Sequence, residues 1–297
     1  MANGLICAVL VNFNGATDTE ECVQSLLACS YPNLRILIVD NGSDHGKVHY
    51  GKAIPREQCE IIETGRNLGF AGANNVGIRR GLELDADYFL ILNNDTVVEP
   101  NFIKPLLEVF RHNSSVGIVT GKIRYYDDRD YLWFGGSYYN DKLLECKIDG
   151  LGQPDNDKYS HSKEIPFATG CLWLIPRRVI ETVGLMSEDY FLYYEDADYC
   201  ERVKQAGLKI WYEPKSVIYH KESRSTKKGS PSYNYYNLRN YLIFLKKYHT
   251  LFERLVPECK RLIRSLKDAL RGRSTWTNEI RAWQDFLTKK TGVARYY

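Results

Sequence analysis

The sequence predicts an α/β fold: a mostly parallel, doubly wound sheet flanked by helices, followed by a C-terminal helical annex. Three observations carry that prediction. Short, continuous apolar runs alternate with stretches of helical periodicity through the first hundred residues. Those runs end in Asn/Asp clusters. After residue 232 the chain becomes aromatic and then basic, with the periodicity of amphipathic helices.

Residues 5–11 (LICAVLV) are the longest strictly apolar run, at seven residues, and read as a buried parallel strand ending in Asn12-Phe13-Asn14-Gly15. Residues 17–29 follow with early acidic side chains and Cys22, Val23, Leu26 and Leu27 at helical spacing. Thr17 or Asp18 is the expected cap. Residues 34–39 (LRILIV) form the second strand, stopped by Asp40-Asn41-Gly42-Ser43-Asp44, and residues 60–63 the third. Residues 67–81 are a loop leading into a helix, and residues 88–92 (YFLIL) are a fourth strand ending in Asn93-Asn94-Asp95. The β-α-β order implies right-handed crossovers. Ligands of such sheets bind beyond the carboxyl ends of the strands, so these Asn/Asp clusters are expected to meet on one rim.

Composition narrows the class. The 297 residues carry 40 Lys+Arg against 37 Asp+Glu, and 44% are hydrophobic, as in a globular chain rather than a disordered one. No run approaches the roughly 20 apolar residues of a spanning helix, and the first basic residue, Arg35, comes too late for a signal-peptide n-region. The expectation is therefore a cytoplasmic protein. The eight cysteines show no CxxC spacing and no His at zinc-ligand spacing, so they read as reduced thiols. Strand one is not followed by GxGxxG, and neither a P-loop nor HExxH is present, which removes the dinucleotide, ATPase and zincin readings.

In the second half, residues 118–124 and 167–175 read as strands, and the intervening Gly-rich, aromatic stretch reads as loops between short strands. Residues 191–202 enter a helix on which Glu195, Asp198 and Arg202 share roughly one face.

Taken in order, the strings VLVNFN (9–14), VDNGSD (39–44), NLGFA (67–71), NNVG (74–77), LNNDT (92–96), ATG (168–170), residues 184–188 (GLMSE) and YYEDAD (193–198), with Arg202, His220 and Ser225, resemble a family 2 glycosyltransferase with the GT-A fold. The resemblance covers about residues 5–240 and is strongest to rhamnosyltransferase-like members that decorate bacterial polysaccharides. It implies a catalytic domain over residues 1–230 and a helical extension over 231–297. It implies a nucleotide-sugar donor, UDP- or dTDP-linked, and a saccharide or lipid-linked acceptor.

Site residues follow from that resemblance. Asp40 would accept the pyrimidine N–H, with the backbone around Val11 and Asn12 beside it; its other reading is an Asx-turn or N-cap. Asn67 and Asn74 match donor-loop positions, and Asn74 could instead cap a helix over 75–81. The family's acidic metal motif is Asn93-Asn94-Asp95 here, with only the last carboxylate kept. Asp95 is assigned to Mg²⁺ or Mn²⁺ and Asn94 to ribose or phosphate; His220 matches a late position that contacts metal or diphosphate. Inverting transfer needs one general base, and the Glu-Asp pair nominates Asp196, with Glu195 on acceptor hydroxyls. Glu195 or Asp198 remain alternative bases, and Asp198–Arg202 reads as a structural ion pair. Trp173 and Tyr190 could stack on sugar faces, although core packing is the default for such residues.

Residues 233–248 read as a helix with an aromatic face, and residues 251–273 and 278–288 as basic helices. Residues 246–297 hold 13 Lys/Arg and 5 Asp/Glu, whereas residues 1–245 hold 27 and 32. Packing on the body is the expected role, with peripheral membrane contact and a homodimer as further options. Nucleic acid has no motif in its favour. A nucleotidyltransferase would need a Gly-rich basic loop after strand one, which is missing. A non-catalytic nucleotide-sugar-binding protein of the same fold is the alternative to an enzyme.

Overall fold

The computed structural model describes residues 4–222, 230–270 and 276–294. Strands β1 (Ile6–Asn12), β2 (Leu34–Asp40), β3 (Cys59–Glu63) and β4 (Tyr88–Asn93) are laid out β4-β1-β2-β3, and every neighbour pair runs parallel. Burial on both faces explains the apolar runs of β1, β2 and β4, whereas the edge strand β3 is only partly buried. Helices α1 (Ala16–Leu27) and α2 (Gly69–Glu83) connect them. Gly77 lets α2 lie directly on β1, because a Cβ there would stand 2.3 Å from Val9 Cγ1.

Past β4 the sheet is mixed. The later strands are β5 (Thr96–Val98), β6 (Val116–Tyr125), β7 (Tyr131–Phe134), β8 (Ser137–Asn140), β9 (Glu145–Ile148), β10 (Gln153–Pro154), β11 (Lys163–Glu164), β12 (Leu172–Pro176) and β13 (Lys209–His220). β12 inserts antiparallel between β4 and β6. β13 runs parallel to β6 and antiparallel to β5. This brings His220, at the end of β13, opposite Thr96, next to Asp95. Helices α3 (Ile103–His112), α4 (Arg177–Val183) and α5 (Glu195–Gln205) complete the body.

Two local expectations are corrected. α1 starts at Ala16 with Gly15 as its N-cap and no side-chain cap, so neither Thr17 nor Asp18 caps it. α2 starts at Gly69, which places Asn74 inside the helix rather than at its cap.

The annex consists of α6 (Pro231–Tyr248), α7 (Leu251–Leu270) and α8 (Trp276–Leu287). Ser230 caps α6 by accepting from Tyr233 N–H, with Pro231 at the first turn. α6 buries Tyr235, Tyr236, Tyr241, Leu242 and Leu245 in a second core that includes Ala282 and Phe286 of α8. Residues 191–194 of the body pack against the same cluster. Ser225, Arg271 and Arg273 lie outside the described residues.

Candidate active site

The carboxyl rim of the parallel strands is joined by a continuous chain of side-chain hydrogen bonds. Asn94 Nδ2 donates to Thr19 Oγ1 at 2.8 Å, and that hydroxyl donates to Asn12 Oδ1 at 3.0 Å. Asn12 Nδ2 in turn donates to Asp40 Oδ2 at 2.8 Å. Asp40 Oδ1 accepts from Ser43 N–H at 3.0 Å, so the Asx-turn forms. A carboxylate oxygen carries two lone pairs, so the turn leaves acceptor capacity on this buried group. Beside it, Asn41 Nδ2 donates to Asn67 Oδ1 and Asn41 Oδ1 accepts from Leu68 N–H, fixing the loop that opens α2. Gly69 adopts φ +74°, and a Cβ there would stand 2.2 Å from Phe191 O. The loop that opens α2 and the segment before α5 can touch only because that residue is glycine.

Asp95 and His220 form the second cluster. Both are buried, and His220 Nε2 lies 3.2 Å from Asp95 Oδ1. The contact is close but lacks hydrogen-bond geometry: both carboxylate oxygens and both ring nitrogens are buried without a hydrogen-bond partner. Such groups are costly unless something else satisfies them. Two cis ligands of an octahedral divalent ion with bonds of about 2.1 Å are separated by about 3 Å, so a shared cation fits. Among the described residues no third His, Cys, Asp or Glu joins them. The remaining ligands would have to be water or phosphate oxygens. Trp133 packs edge-on against the His220 ring with centroids 4.4 Å apart.

The third cluster opens α5. Tyr193 and Tyr194 both sit at positive φ, 69° and 72°, a strained conformation for bulky residues. This kink delivers Glu195 and Asp196 to the first turn of α5. Asp196 is half-buried; its Oδ2 accepts from Gly170 N–H at 3.2 Å and its Oδ1 from Ala197 N–H at 2.8 Å. Burial nevertheless lifts its carboxyl from 3.8 to about 6. Glu195 is buried, its Oε2 has no hydrogen-bond partner, and burial followed by the Asp196 charge holds its carboxyl well above the usual range. Both line a cavity of about 210 Å³ whose wall includes Tyr139, Phe167, Asn237 and Phe244. Asp198 is fully buried and bonded to Arg202, Lys247 and Tyr248, which makes it structural.

The segment leading into β12 ties the clusters together, since Cys171 O accepts from Asn93 N–H while neighbouring Gly170 donates to Asp196. Some expected contacts are absent. Trp173 is fully buried and stacks on Tyr199 at 5.5 Å, and Tyr190 is 1% exposed, so both belong to the core rather than to a sugar face. Asn74 is buried in α2 with its amide on Phe70 O. Asn12 spends its side chain within the rim, and Val11 contributes backbone to β1.

Two residues escaped sequence reasoning. Thr19 links Asn94 to Asn12. Asn240 of α6 donates to Leu192 O at 2.8 Å and Tyr193 O at 2.9 Å, holding the kink before Asp196. An Asn inside the apolar 238–245 stretch was the available signal for it, because a buried amide needs partners.

The mixed sheet, with its polar rim, buried Asp–His pair and raised carboxyl beside a cavity, has the GT-A glycosyltransferase fold. The chain belongs to glycosyl transferase family 2, whose model matches residues 7–184. It is 26% identical over 258 residues to the dTDP-rhamnosyl transferase RfbF of Shigella flexneri, covering 83% of this chain and 82% of that protein. It is also 26% identical over 267 residues to the N-acetylglucosaminyl-diphospho-decaprenol L-rhamnosyltransferase of Mycobacterium tuberculosis H37Rv, covering 82% and 84%. Among solved structures it resembles GalNAc-T7 with UDP, GalNAc and Mn²⁺ at a TM-score of 0.61 and 16% identity, over 82% of this chain and 48% of that one. It resembles the Pyrobaculum calidifontis mannosyltransferase PcManGT with GDP-Man and Mn²⁺ at a TM-score of 0.57 and 13% identity, over 98% and 89%.

Proposed function

We propose that this glycosyltransferase moves a deoxyhexose or hexose from a dTDP- or UDP-sugar to a hydroxyl of a saccharide or lipid-linked saccharide, with inversion at the anomeric carbon. The observation that carries this reading is Asp196: a half-buried carboxyl at about 6, anchored by two backbone N–H groups, on the wall of a cavity. A base poised near the working pH is what hydroxyl activation requires. Asp196 takes the acceptor proton as that oxygen bonds the anomeric carbon, and the bond from that carbon to the diphosphate oxygen breaks. Glu195, whose carboxyl burial and then the Asp196 charge hold well above the usual range, faces the same cavity and contacts the acceptor hydroxyls.

On the donor side Asp40 accepts the pyrimidine N–H, and the Asn67 and Asn94 segments approach ribose and phosphate. Asp95 and His220 are the residues that would hold Mg²⁺ or Mn²⁺. When bound, such an ion supplies positive charge against the departing diphosphate. The first relative supports a dTDP-linked donor, both support transfer of a rhamnosyl group, and the second supports a lipid-diphosphate acceptor. Calorimetry with dTDP, UDP and GDP, with and without Mn²⁺, followed by nucleotide release from dTDP-rhamnose and UDP-hexoses, tests the reading. GDP binding alone, or no pyrimidine nucleotide binding, would overturn it.

A further inference from the structure

The annex carries a helix whose amphipathicity is reversed. A helix on a globular body normally turns its apolar stripe inward. α7 does the opposite. Pro257 and Ser265 are its buried positions, and its inward side carries the Arg254–Glu258 ion pair at 3.2 Å. Arg261 on that side lies 4.8 Å over the Tyr241 ring and 4.0 Å from Glu145. Phe252, Leu255, Val256, Leu262, Ile263 and Leu266 are all exposed, Phe252 to 84%. At about 100° per residue these side chains fall within one arc of about 120°, which is broader than a two-stranded coiled-coil seam. Exposed Lys260, Arg264 and Lys267 line one flank of that arc.

We infer that α7 lies in the plane of an anionic lipid surface, its apolar arc among the acyl chains and its cationic flank at the headgroups. Charge decides between this occupant and a second copy of the chain. Residues 246–297 hold 13 Lys/Arg against 5 Asp/Glu, so two such segments repel each other while an anionic bilayer attracts each one. Position supports the same choice. Glu145, which Arg261 approaches, lines the cavity that holds Asp196. A helix docked this way brings the base close to the headgroup layer, where a lipid-linked hydroxyl would be presented. The inference deepens the lipid-linked acceptor reading and rests on it for its purpose, while its physical basis is α7 itself.

The test is flotation of the full-length protein, without nucleotide, on vesicles of phosphatidylcholine alone and of phosphatidylcholine with phosphatidylglycerol. Wild type is expected to float with the anionic vesicles, at least about tenfold tighter than with neutral ones. Leu255→Gln/Leu262→Gln/Leu266→Gln should abolish flotation while keeping the wild-type melting temperature, because these side chains are exposed. Lys260→Glu/Lys267→Glu should remove the preference for phosphatidylglycerol. Failure of wild type to float on anionic vesicles overturns the inference. So does a wild-type dimer in light scattering that the triple Gln variant splits into monomers. A protein that floats as expected but binds no pyrimidine nucleotide defeats the functional reading and leaves this one standing.

Discussion

Replacing Asp196 with Asn should make the protein more stable and nearly inactive at the same time. A carboxyl lifted from 3.8 to about 6 stores up to about 3 kcal/mol, at about 1.4 kcal/mol per unit. The carboxylate is only half-buried, so solvent screening reduces that figure. The amide also loses one of the two acceptor oxygens that serve Gly170 and Ala197, worth about 1 kcal/mol. A net gain of roughly 1 kcal/mol remains above pH 6. The sign follows from proton binding. The native state holds the Asp196 proton more tightly than the unfolded chain, so this group's contribution is full below pH 4 and lost as pH rises through about 6. Asn mimics the protonated form at every pH; its advantage is therefore absent at low pH and complete above 6. Urea titrations at both pH extremes measure it. Transfer should fall about 10³-fold, and the wild-type rate should decline as pH drops through about 6. A variant that is less stable at pH 7.5, or that transfers sugar at the wild-type rate, refutes both the burial argument and the base assignment.

Other perturbations separate the remaining roles. His220→Ala should reduce transfer by about 100-fold or more and weaken Mn²⁺ uptake in the presence of dTDP, read by calorimetry; full activity in a chelator would show that the Asp95–His220 pair holds no ion. Asp40→Asn keeps one acceptor for the Ser43 turn, so it should fold while binding pyrimidine nucleotide about tenfold more weakly. Unchanged affinity would leave Asp40 a turn residue only. Asn240→Ala strands two half-buried carbonyls and costs about 1–3 kcal/mol of stability, with turnover falling while nucleotide affinity holds. Equal losses in both would mean a general folding defect rather than a displaced base.

The parallel half of the sheet was legible because its strands are buried on both faces, and such burial writes itself into the chain as apolar runs. Asp95 and His220 were legible as types, yet their pairing depends on β13 lying against β5, which no local pattern encodes. Trp173 and Tyr190 were ambiguous for a related reason. An aromatic residue in an apolar stretch looks the same whether its ring meets a sugar or Tyr199. The cap of α1 was missed because Gly15 N–H already bonds Asn12 Oδ1, leaving Thr17 and Asp18 inside the helix rather than before it. The kink at Tyr193 and Tyr194 had no sequence signal either, since positive φ is ordinarily marked by Gly or Asn.

That kink also bears on where the catalytic unit ends. A boundary at residue 230 follows the change in composition, but the strained backbone before Asp196 needs support to persist. The support comes from beyond that boundary. Asn240 takes the carbonyls of Leu192 and Tyr193, Tyr241 and Phe244 pack on the Tyr194 ring, and Lys247 and Tyr248 bond the Asp198 carboxylate one turn into α5. Asn237 and Phe244 complete the cavity wall around Asp196. The annex therefore completes the cavity beside Asp196. α6 supports the backbone before Asp196, and α7, which follows it in the same annex, turns an apolar face outward; support for that kink and an exposed apolar surface therefore belong to one structural unit.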